Sequence, residues 1–279
     1  MPKILYPSQQ FALQQKIARW SVREFQPKIK AALQADFDKA AQMVEALGAE
    51  QTANNRVGFF TGDKINNILR TLYETTGGYT AMRYQEMFDK TKKAEEFDID
   101  PLNILDEWLV FMLSYWTAIS GPKMYGIENT TENEIARILA DVILYGRQNG
   151  LSQNDVNKLA IQTLRDGKIN NARSLLIART ESHQALSTGA MGAVKMAGLP
   201  VFKQWIAAEY PAKSGKFRSW HRDLDRQTNP DANGVRIPVN QPFLVNTPNV
   251  GLIEMQYAHD ASGGAMNNCN CRCSTVYVL

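Results

Sequence analysis

The chain has 279 residues, of which 44% are hydrophobic and 21% are charged. This composition excludes an intrinsically disordered protein and allows a sizeable core, in one large or two modest domains. Lys and Arg number 31 against 28 Asp and Glu, and the resulting net charge of +3 is too small to indicate a nucleic-acid binder by itself.

The N-terminal sequence, MPKILYPSQQ, lacks the apolar segment of a secretory signal peptide. The most apolar run, residues 108–119, is too short to cross a bilayer and predicts a buried helix. We therefore expect a protein with no membrane partner. Its three cysteines should meet a reducing cytosol, where disulfides are disfavoured.

Helical periodicity dominates the first half of the chain. Apolar residues recur in steps of three and four over residues 25–47, which predicts one amphipathic helix with Gly48 as its C-terminal cap. Pro27 fits the first turn of that helix. We therefore expect an earlier helix, near residues 9–24, to end or kink there.

Three local signals predict further helix boundaries. The TTGG sequence at residues 75–78 is expected to interrupt a helix that starts near Asp63. Thr131 and Glu134 match a capping box, which would open a helix, and Ser152 is a suitable N-cap for the next one. The last long helix is predicted over residues 171–196.

The sequence changes character after Gly198, where prolines and glycines recur. Residues 200–209 and the final STVYVL have the pattern of short strands separated by loops. The predicted fold class is α+β, with a mainly helical N-terminal part followed by a small, loop-rich α+β C-terminal domain. We place a helical docking region at residues 1–150. The α+β domain, which includes the helix 171–196, is placed at residues 151–279.

All three cysteines, Cys269, Cys271 and Cys273, fall within five residues near the end of the sequence. Alternate residues of a strand lie about 6.6–7 Å apart, so Cys269 and Cys273 on a straight strand would be about 13 Å apart. Two thiolates on one zinc ion need sulfur atoms within about 4 Å of each other. A bent segment could bring Cys271 and Cys273 to one metal with a distant histidine, which leaves Cys269 as the extra cysteine. Buried structural cysteines are the alternative interpretation.

Two further segments carry groups that are capable of chemistry. His221 lies in RSWHRDLDRQ beside Asp223 and Asp225, a grouping that suits a divalent ion or general acid–base chemistry as well as an ordinary charged helix. Arg179 and Glu181 of IARTES would point about 200° apart on a helix, so each needs a partner elsewhere in the fold. No P-loop, G-x-G-x-x-G, G-x-S-x-G or H-E-x-x-H motif occurs, and the sequence therefore lacks an ordinary nucleotide-binding or hydrolase signature.

The order of these segments is more specific than any one of them. ARTE in a helix, a strand with Lys203 and Trp205, RSWHRDLDRQ, a proline-rich stretch and NCRC together resemble the Mu F-like minor head proteins of tailed phages, also called phage head morphogenesis proteins. The resemblance covers about residues 171–273, and Asp225 departs from it by standing where the family usually has glycine. The matching positions are Arg179, Thr180, Glu181, Trp205, Arg218, His221, Leu224, Gln227, Phe243, Asn270, Cys271, Arg272 and Cys273.

The resemblance implies a virion component that is made in the host cytoplasm and lies inside the capsid near the portal. It implies few copies per head, association with the portal protein, and a role in head morphogenesis and in DNA packaging or delivery. The major capsid protein, a scaffold protein and non-specific DNA are further candidate partners. The family resemblance requires neither a catalytic role nor a cofactor.

On this interpretation the motif residues hold the fold together by linking the long helix to the small domain. They are Arg179, Thr180, Glu181, Trp205, Arg218, His221, Asn270 and Arg272. Zinc is a candidate cofactor, with His221, Cys271 and Cys273 as its ligands.

Two other classes of function remain open at this point. An enzyme, either ADP-ribosyltransferase-like or a nuclease, would use Arg179, Glu181 and His221. A sequence-independent DNA-binding virion protein would use the basic stretch at residues 195–236 to contact phosphates. The contacts to DNA or to a protein partner would come from Lys203, Lys213, Lys216 and Arg222.

Overall fold

The computed structural model describes residues 6–55, 62–88, 104–208 and 218–279. Within these ranges the chain is mainly helical, and its few antiparallel strands all follow residue 200. The predicted α+β class, with a long helical N-terminal region and a small C-terminal part that contains strands, is confirmed.

The helices of the described residues differ widely in length. In chain order they are α1 (Pro7–Leu47), α2 (Ala49–Asn54), α3 (Asp63–Leu72), α4 (Gly78–Phe88), α5 (Asp106–Gln148), α6 (Gln153–Arg165), α7 (Lys168–Met196), α8 (Ser219–Thr228) and α9 (Gly264–Asn268). A π-helical turn, Tyr73–Gly77, joins α3 to α4. Two predicted caps are confirmed. Gly48 follows α1 with a φ of 84°, and the Ser152 side chain accepts a hydrogen bond from the Asp155 N–H at the start of α6.

The strands form two small antiparallel sheets. They are β1 (Phe202–Ile206), β2 (Ile237–Pro238), β3 (Phe243–Thr247), β4 (Gly251–Met255) and β5 (Ser274–Val278). β1 lies between β2 and β5 and pairs with β5 along its whole length, whereas β3 and β4 pair, among the described strands, only with each other. All five side chains of β5 are buried, so the predicted terminal strand is a core strand.

The described chain divides into two compact units, which do not coincide with a division at residue 150. One unit contains residues up to Arg23, Arg70–Trp116 and Leu176–Leu279, and the other contains Glu24–Leu69 and Thr117–Leu175. Each unit has its own apolar core. In the first, Trp108, Tyr277 and their neighbours form one cluster, and Trp205 and Phe243 belong to another. In the second, residues of α1, α5 and α6 pack around Phe37 and Leu139.

No helix among the described residues is both long enough and apolar enough to cross a membrane. The apolar run at residues 108–119 lies in α5 and buries one face, because Trp108, Met112 and Trp116 are buried whereas Val110 is 63% exposed. The predicted helix is confirmed, but only one of its faces is buried.

Pro27 does not end a helix, because it lies inside the continuous helix α1. Phe25 and Ile29 are buried, whereas Pro27 is on the exposed side. A proline in a helix interior leaves the carbonyl four residues earlier without its intrahelical donor. That carbonyl belongs to Arg23, which is exposed, so water can hydrogen-bond to it.

Two other predicted boundaries are wrong for related reasons. The TTGG sequence does not break the helix, since Thr75, Thr76 and Gly77 belong to the π-helical turn that continues into α4. Thr131 lies within α5, where its hydroxyl donates to the Ile127 carbonyl at 2.7 Å instead of capping a new helix.

Candidate metal centre

The helix α8 and strand β1 position the imidazole of His221. The Trp205 N–H donates to the Thr228 hydroxyl at 3.0 Å, and the Ala207 N–H donates to the Asp225 carboxylate at 3.0 Å, so the C-terminal end of β1 is fastened to α8. The Trp205 ring packs edge-on against His221 with a centroid distance of 5.1 Å. Asp225 therefore anchors β1, and the predicted grouping of His221 with its two neighbouring carboxylates is not the arrangement that forms.

The NCRC segment bends so that two cysteines face His221. α9 ends at Asn268, and Asn270 has a φ of 55°, in the left-handed region that asparagine tolerates better than most residues. Cys271 and Cys273 follow in an irregular segment before β5, and the Cys273 N–H donates to the Cys271 sulfur at 3.4 Å. This is the bent segment that the cysteine spacing requires if two thiols are to share a ligand.

Three metal-binding side chains come together in this way. The Sγ atoms of Cys271 and Cys273 lie 3.5 and 3.4 Å from His221 Nδ1, and all three donor atoms fall within 4.8 Å of one another. The three side chains are buried, with exposed fractions of 2%, 6% and 2% for Cys271, Cys273 and His221. Cys269 is not part of this group, in agreement with its prediction as the extra cysteine.

Asn267 fixes which nitrogen of His221 carries the proton. The Asn267 amide nitrogen donates to the Gly263 carbonyl at 3.0 Å, while its oxygen accepts from the Trp220 indole N–H at 2.9 Å. Because a carbonyl only accepts and an indole N–H only donates, the orientation of the amide is determined. The same oxygen lies 3.1 Å from His221 Nε2, which must therefore donate. In the neutral imidazole, Nδ1 consequently presents a lone pair to the two sulfurs.

The two thiols have opposite acidities. A hydrogen bond from Cys273 lowers the pKa of Cys271 well below the usual thiol value. The same hydrogen bond, together with burial, raises the pKa of Cys273. The pair therefore favours one thiolate and one thiol, and thiolate is the form that binds soft metal ions.

A second pair of histidines lies beside the thiols. His259 has a φ of 70°, its Nε2 lies 3.2 Å from the Cys273 carbonyl, and its positive charge when protonated would lower the pKa of Cys271. Its ring stacks on His183 with a centroid distance of 5.0 Å. Burial, and then the proximity of His259, lowers the pKa of His183 to about 3. Among the described residues, Nδ1 of each ring is buried without a hydrogen-bond partner.

The ARTE residues of α7 reach the same segment. Arg179 donates to the Asn270 side-chain oxygen at 2.6 Å, and the Thr180 hydroxyl accepts the Asn270 N–H at 3.0 Å. Glu181 is buried and accepts a hydrogen bond from the Tyr73 hydroxyl at 2.7 Å. Arg179 and Glu181 thus have separate partners, as their opposite directions on a helix predict.

Arg218 ties the start of α8 to the chain around α9. Its guanidinium donates to the carbonyls of Met266 and Cys269 at 2.6 and 2.7 Å. The Arg272 carbonyl accepts from Gln15 at 3.1 Å. The segment that carries the cysteines is therefore held by Arg218, which directly precedes α8, and by Gln15 of α1.

The predicted surface cations have different positions. Lys203 is fully buried, and its ammonium donates to the Gln256 carbonyl at 2.6 Å and lies 4.6 Å from the centre of the Phe243 ring, so its prediction as a contact to DNA or a partner is wrong. Lys203 shares one face of β1 with the buried Trp205. Arg222 is exposed. Lys213 and Lys216 lie outside the described residues.

We expect Lys203→Met to change how stability depends on pH. Burial lowers the pKa of Lys203 from 10.5 to about 7 in the folded protein. Below about pH 7 the Lys203 amine is charged in both the folded and the unfolded protein, so the full cost of burying the charge lowers the stability. Between the two pKa values only the unfolded chain holds the proton, so the stability of the wild type rises with pH, by at most about 1.4 kcal/mol per pH unit.

Urea unfolding at pH values from about 6 to about 9 tests this prediction. The stability advantage of Lys203→Met over the wild type should be greatest at the acidic end and should shrink as the pH rises. Lys158→Met is the matched control, because that side chain is 79% exposed. If the free energies of unfolding of Lys203→Met and the wild type differed by the same amount at both ends of this pH range, the lowered pKa of Lys203 would be refuted.

Sequence reasoning missed Asn267 and Tyr73, which have no local motif to mark them.

Comparisons with protein families, curated proteins and solved structures give no match that bears on these residues. No family model matches the chain, and neither a curated protein nor a solved structure matches it significantly. Function is therefore inferred from the geometry of the site and from the order of the motifs.

Proposed function

We propose that this protein is a minor capsid protein of a tailed phage that acts in head morphogenesis, and in DNA packaging or delivery, at the portal vertex. The proposal starts from the order of ARTE, RSWH and NCRC along the sequence. One observation carries it. The segment around Asn270 contacts both of the others, which are distant in sequence, through Arg179 and Thr180 on one side and Arg218 on the other.

The contacts support an architectural role for the motif residues. Arg179 and Arg218 donate to acceptors within the protein, and Glu181 accepts from a buried tyrosine. His221 is enclosed by Asn267 and the two thiols. A nuclease or ADP-ribosyltransferase site needs such groups to converge on a substrate, whereas each of these groups is directed at a different protein partner.

The DNA-binding alternative loses one of its proposed phosphate contacts, because Lys203 is buried.

We propose the portal protein as the main partner. The major capsid or scaffold protein and non-specific DNA remain secondary candidates. The proposed location is the inside of the capsid near the portal, after assembly in the host cytoplasm.

Co-expression with the portal protein of the same phage genome tests the proposal. We expect a complex that survives size-exclusion chromatography, and we expect the protein to be found in few copies in purified heads by mass spectrometry. Binding to arbitrary duplex DNA that weakens steeply with salt, without a portal complex, would favour the DNA-binding alternative. Absence from purified heads would refute the proposal.

Glu181→Gln separates an architectural role from catalysis. The glutamine oxygen can still accept the Tyr73 hydroxyl, so we expect a folded protein that is less stable by about 1 kcal/mol and that still supports phage infectivity. A catalytic carboxylate replaced in this way would lose activity by orders of magnitude. Complementation of a phage that lacks the gene, together with a melting curve, provides the measurement. A fully folded Glu181→Gln protein that fails to complement would point to an enzyme.

A further inference from the structure

We propose that His221, Cys271 and Cys273 bind a structural zinc ion and that His259 supplies the fourth ligand. The proposal concerns how the C-terminal part of the fold is held together. It does not depend on a role in phage heads.

The two distances from sulfur to nitrogen already match those of a tetrahedral zinc site. With Zn–S bonds of about 2.3 Å and Zn–N bonds of about 2.0–2.1 Å, the edge from sulfur to nitrogen is about 3.6 Å long. The observed distances from His221 Nδ1 to the two sulfurs are 3.5 and 3.4 Å. An ion can therefore bind between the three atoms with only small movements of their side chains.

A chain of hydrogen bonds from Cys273 to Cys271 and on to His221 predicts one sulfur close to the nitrogen and the other farther away. Because Asn267 accepts the Nε2 proton, His221 Nδ1 has a single lone pair, which accepts one hydrogen well. Both sulfurs nevertheless lie at almost the same distance from that nitrogen. A zinc ion accounts for all three groups, because it binds the lone pair and both sulfurs at once and displaces the thiol protons to solvent.

Charge and the surrounding groups also suit zinc. Two thiolates carry a charge of −2, which Zn²⁺ cancels, so a site with neutral histidines can be buried without a net charge. Metal-binding histidines usually donate their second N–H to an oxygen, which is the bond that His221 makes with Asn267. The Cys273 N–H donates to the Cys271 sulfur and would stabilise its thiolate.

His259 is the source of the fourth ligand. It is 1% exposed and lies beside Cys271, and within the described part of the chain its Nδ1 has no hydrogen-bond partner. Structural zinc sites are almost always closed by four protein ligands. Since Nδ1 of His259 is not one of the three atoms grouped within 4.8 Å, its ring must approach the others when the ion binds.

Metal analysis of the full-length protein tests the proposal. Protein purified under reducing conditions should contain one equivalent of zinc, as measured by inductively coupled plasma mass spectrometry. Protein stripped of metal should take up Zn²⁺ in competition with a chelating indicator. Co²⁺ should give the visible bands of a tetrahedral ion and a near-ultraviolet band from sulfur-to-cobalt charge transfer.

The chain supplies a matched set of variants. We expect Cys271→Ser and Cys273→Ser to weaken zinc binding by more than about 100-fold, because even residues that only orient ligands contribute 10–100-fold. Cys269→Ser should bind zinc as the wild type does. His259→Ala should bind more weakly but should retain the sulfur-to-cobalt band.

Several outcomes would overturn the assignment. A folded wild type that binds neither zinc nor cobalt in competition with the indicator would show that the thiols are ordinary core cysteines. Equal losses in Cys269→Ser would show that the ligand set is wrong, and an unchanged affinity in His259→Ala would remove His259 from it. If the serine variants do not fold, the cobalt spectrum of the wild type decides, because a spectrum without the sulfur band refutes the site.

Discussion

Asn267→Leu is expected to lower the free energy of unfolding by about 4 kcal/mol. The Asn267 side chain is 1% exposed and bonds to Trp220, His221, Thr247 and Gly263. Leucine has a similar size but can make none of these bonds. Each buried group that loses its partner costs about 1–3 kcal/mol, although the separate costs do not simply add.

Urea unfolding of the variant and the wild type measures this loss. Asn246→Leu is the matched control, because it makes the same chemical change at an exposed position of β3. Its effect should stay within about 0.5 kcal/mol. If both variants lost the same stability, the cost would come from placing leucine in this part of the chain rather than from the hydrogen bonds of Asn267.

The grouping of His221 with Cys271 and Cys273 could be predicted from the sequence because geometry limits what closely spaced cysteines can do. A straight C-x-C-x-C strand is too extended for one ion, so the segment has to bend. The structure has that bend at Asn270, with its φ of 55°. Cys269, on the other side of the bend, lies outside the cluster.

The groups that orient this cluster could not be predicted. Asn267 contacts Trp220 and His221 across 47 and 46 residues, and such pairs leave no periodic or local pattern in one sequence. The stacking of His183 on His259 brings together α7 and the loop before α9 in the same way. Only the tertiary fold determines which isolated polar residues meet.

Local boundary signals failed where packing or solvent satisfied the same group in another way. Thr131 has the sequence context of a cap, yet a helix interior also satisfies its hydroxyl through the Ile127 carbonyl. Pro27 could stay in α1 because it faces outward. Gly77 does not break the helix; it lies where α7 passes close to the π-helical turn at Gly189.

Gly189→Ala is expected to lower the free energy of unfolding by more than about 3 kcal/mol. A Cβ atom on Gly189 would lie 2.0 Å from the Gly77 carbonyl oxygen and 2.8 Å from its carbon. Both are backbone atoms, which cannot rotate away as a side chain can. Relief of the clash requires α7 to move away from the π-helical turn. The loss should appear as a lower melting temperature.

Gly126→Ala is the matched control, because it makes the same substitution inside α5, where a Cβ atom would meet nothing within 4 Å. Removing a glycine from a helix interior should stabilise the protein by about 0.5–1 kcal/mol. The two substitutions should therefore have opposite signs, which intrinsic helix propensity cannot produce. If Gly189→Ala were also stabilising, the close approach of α7 to Gly77 would be wrong, since alanine would then be responding only to helix propensity.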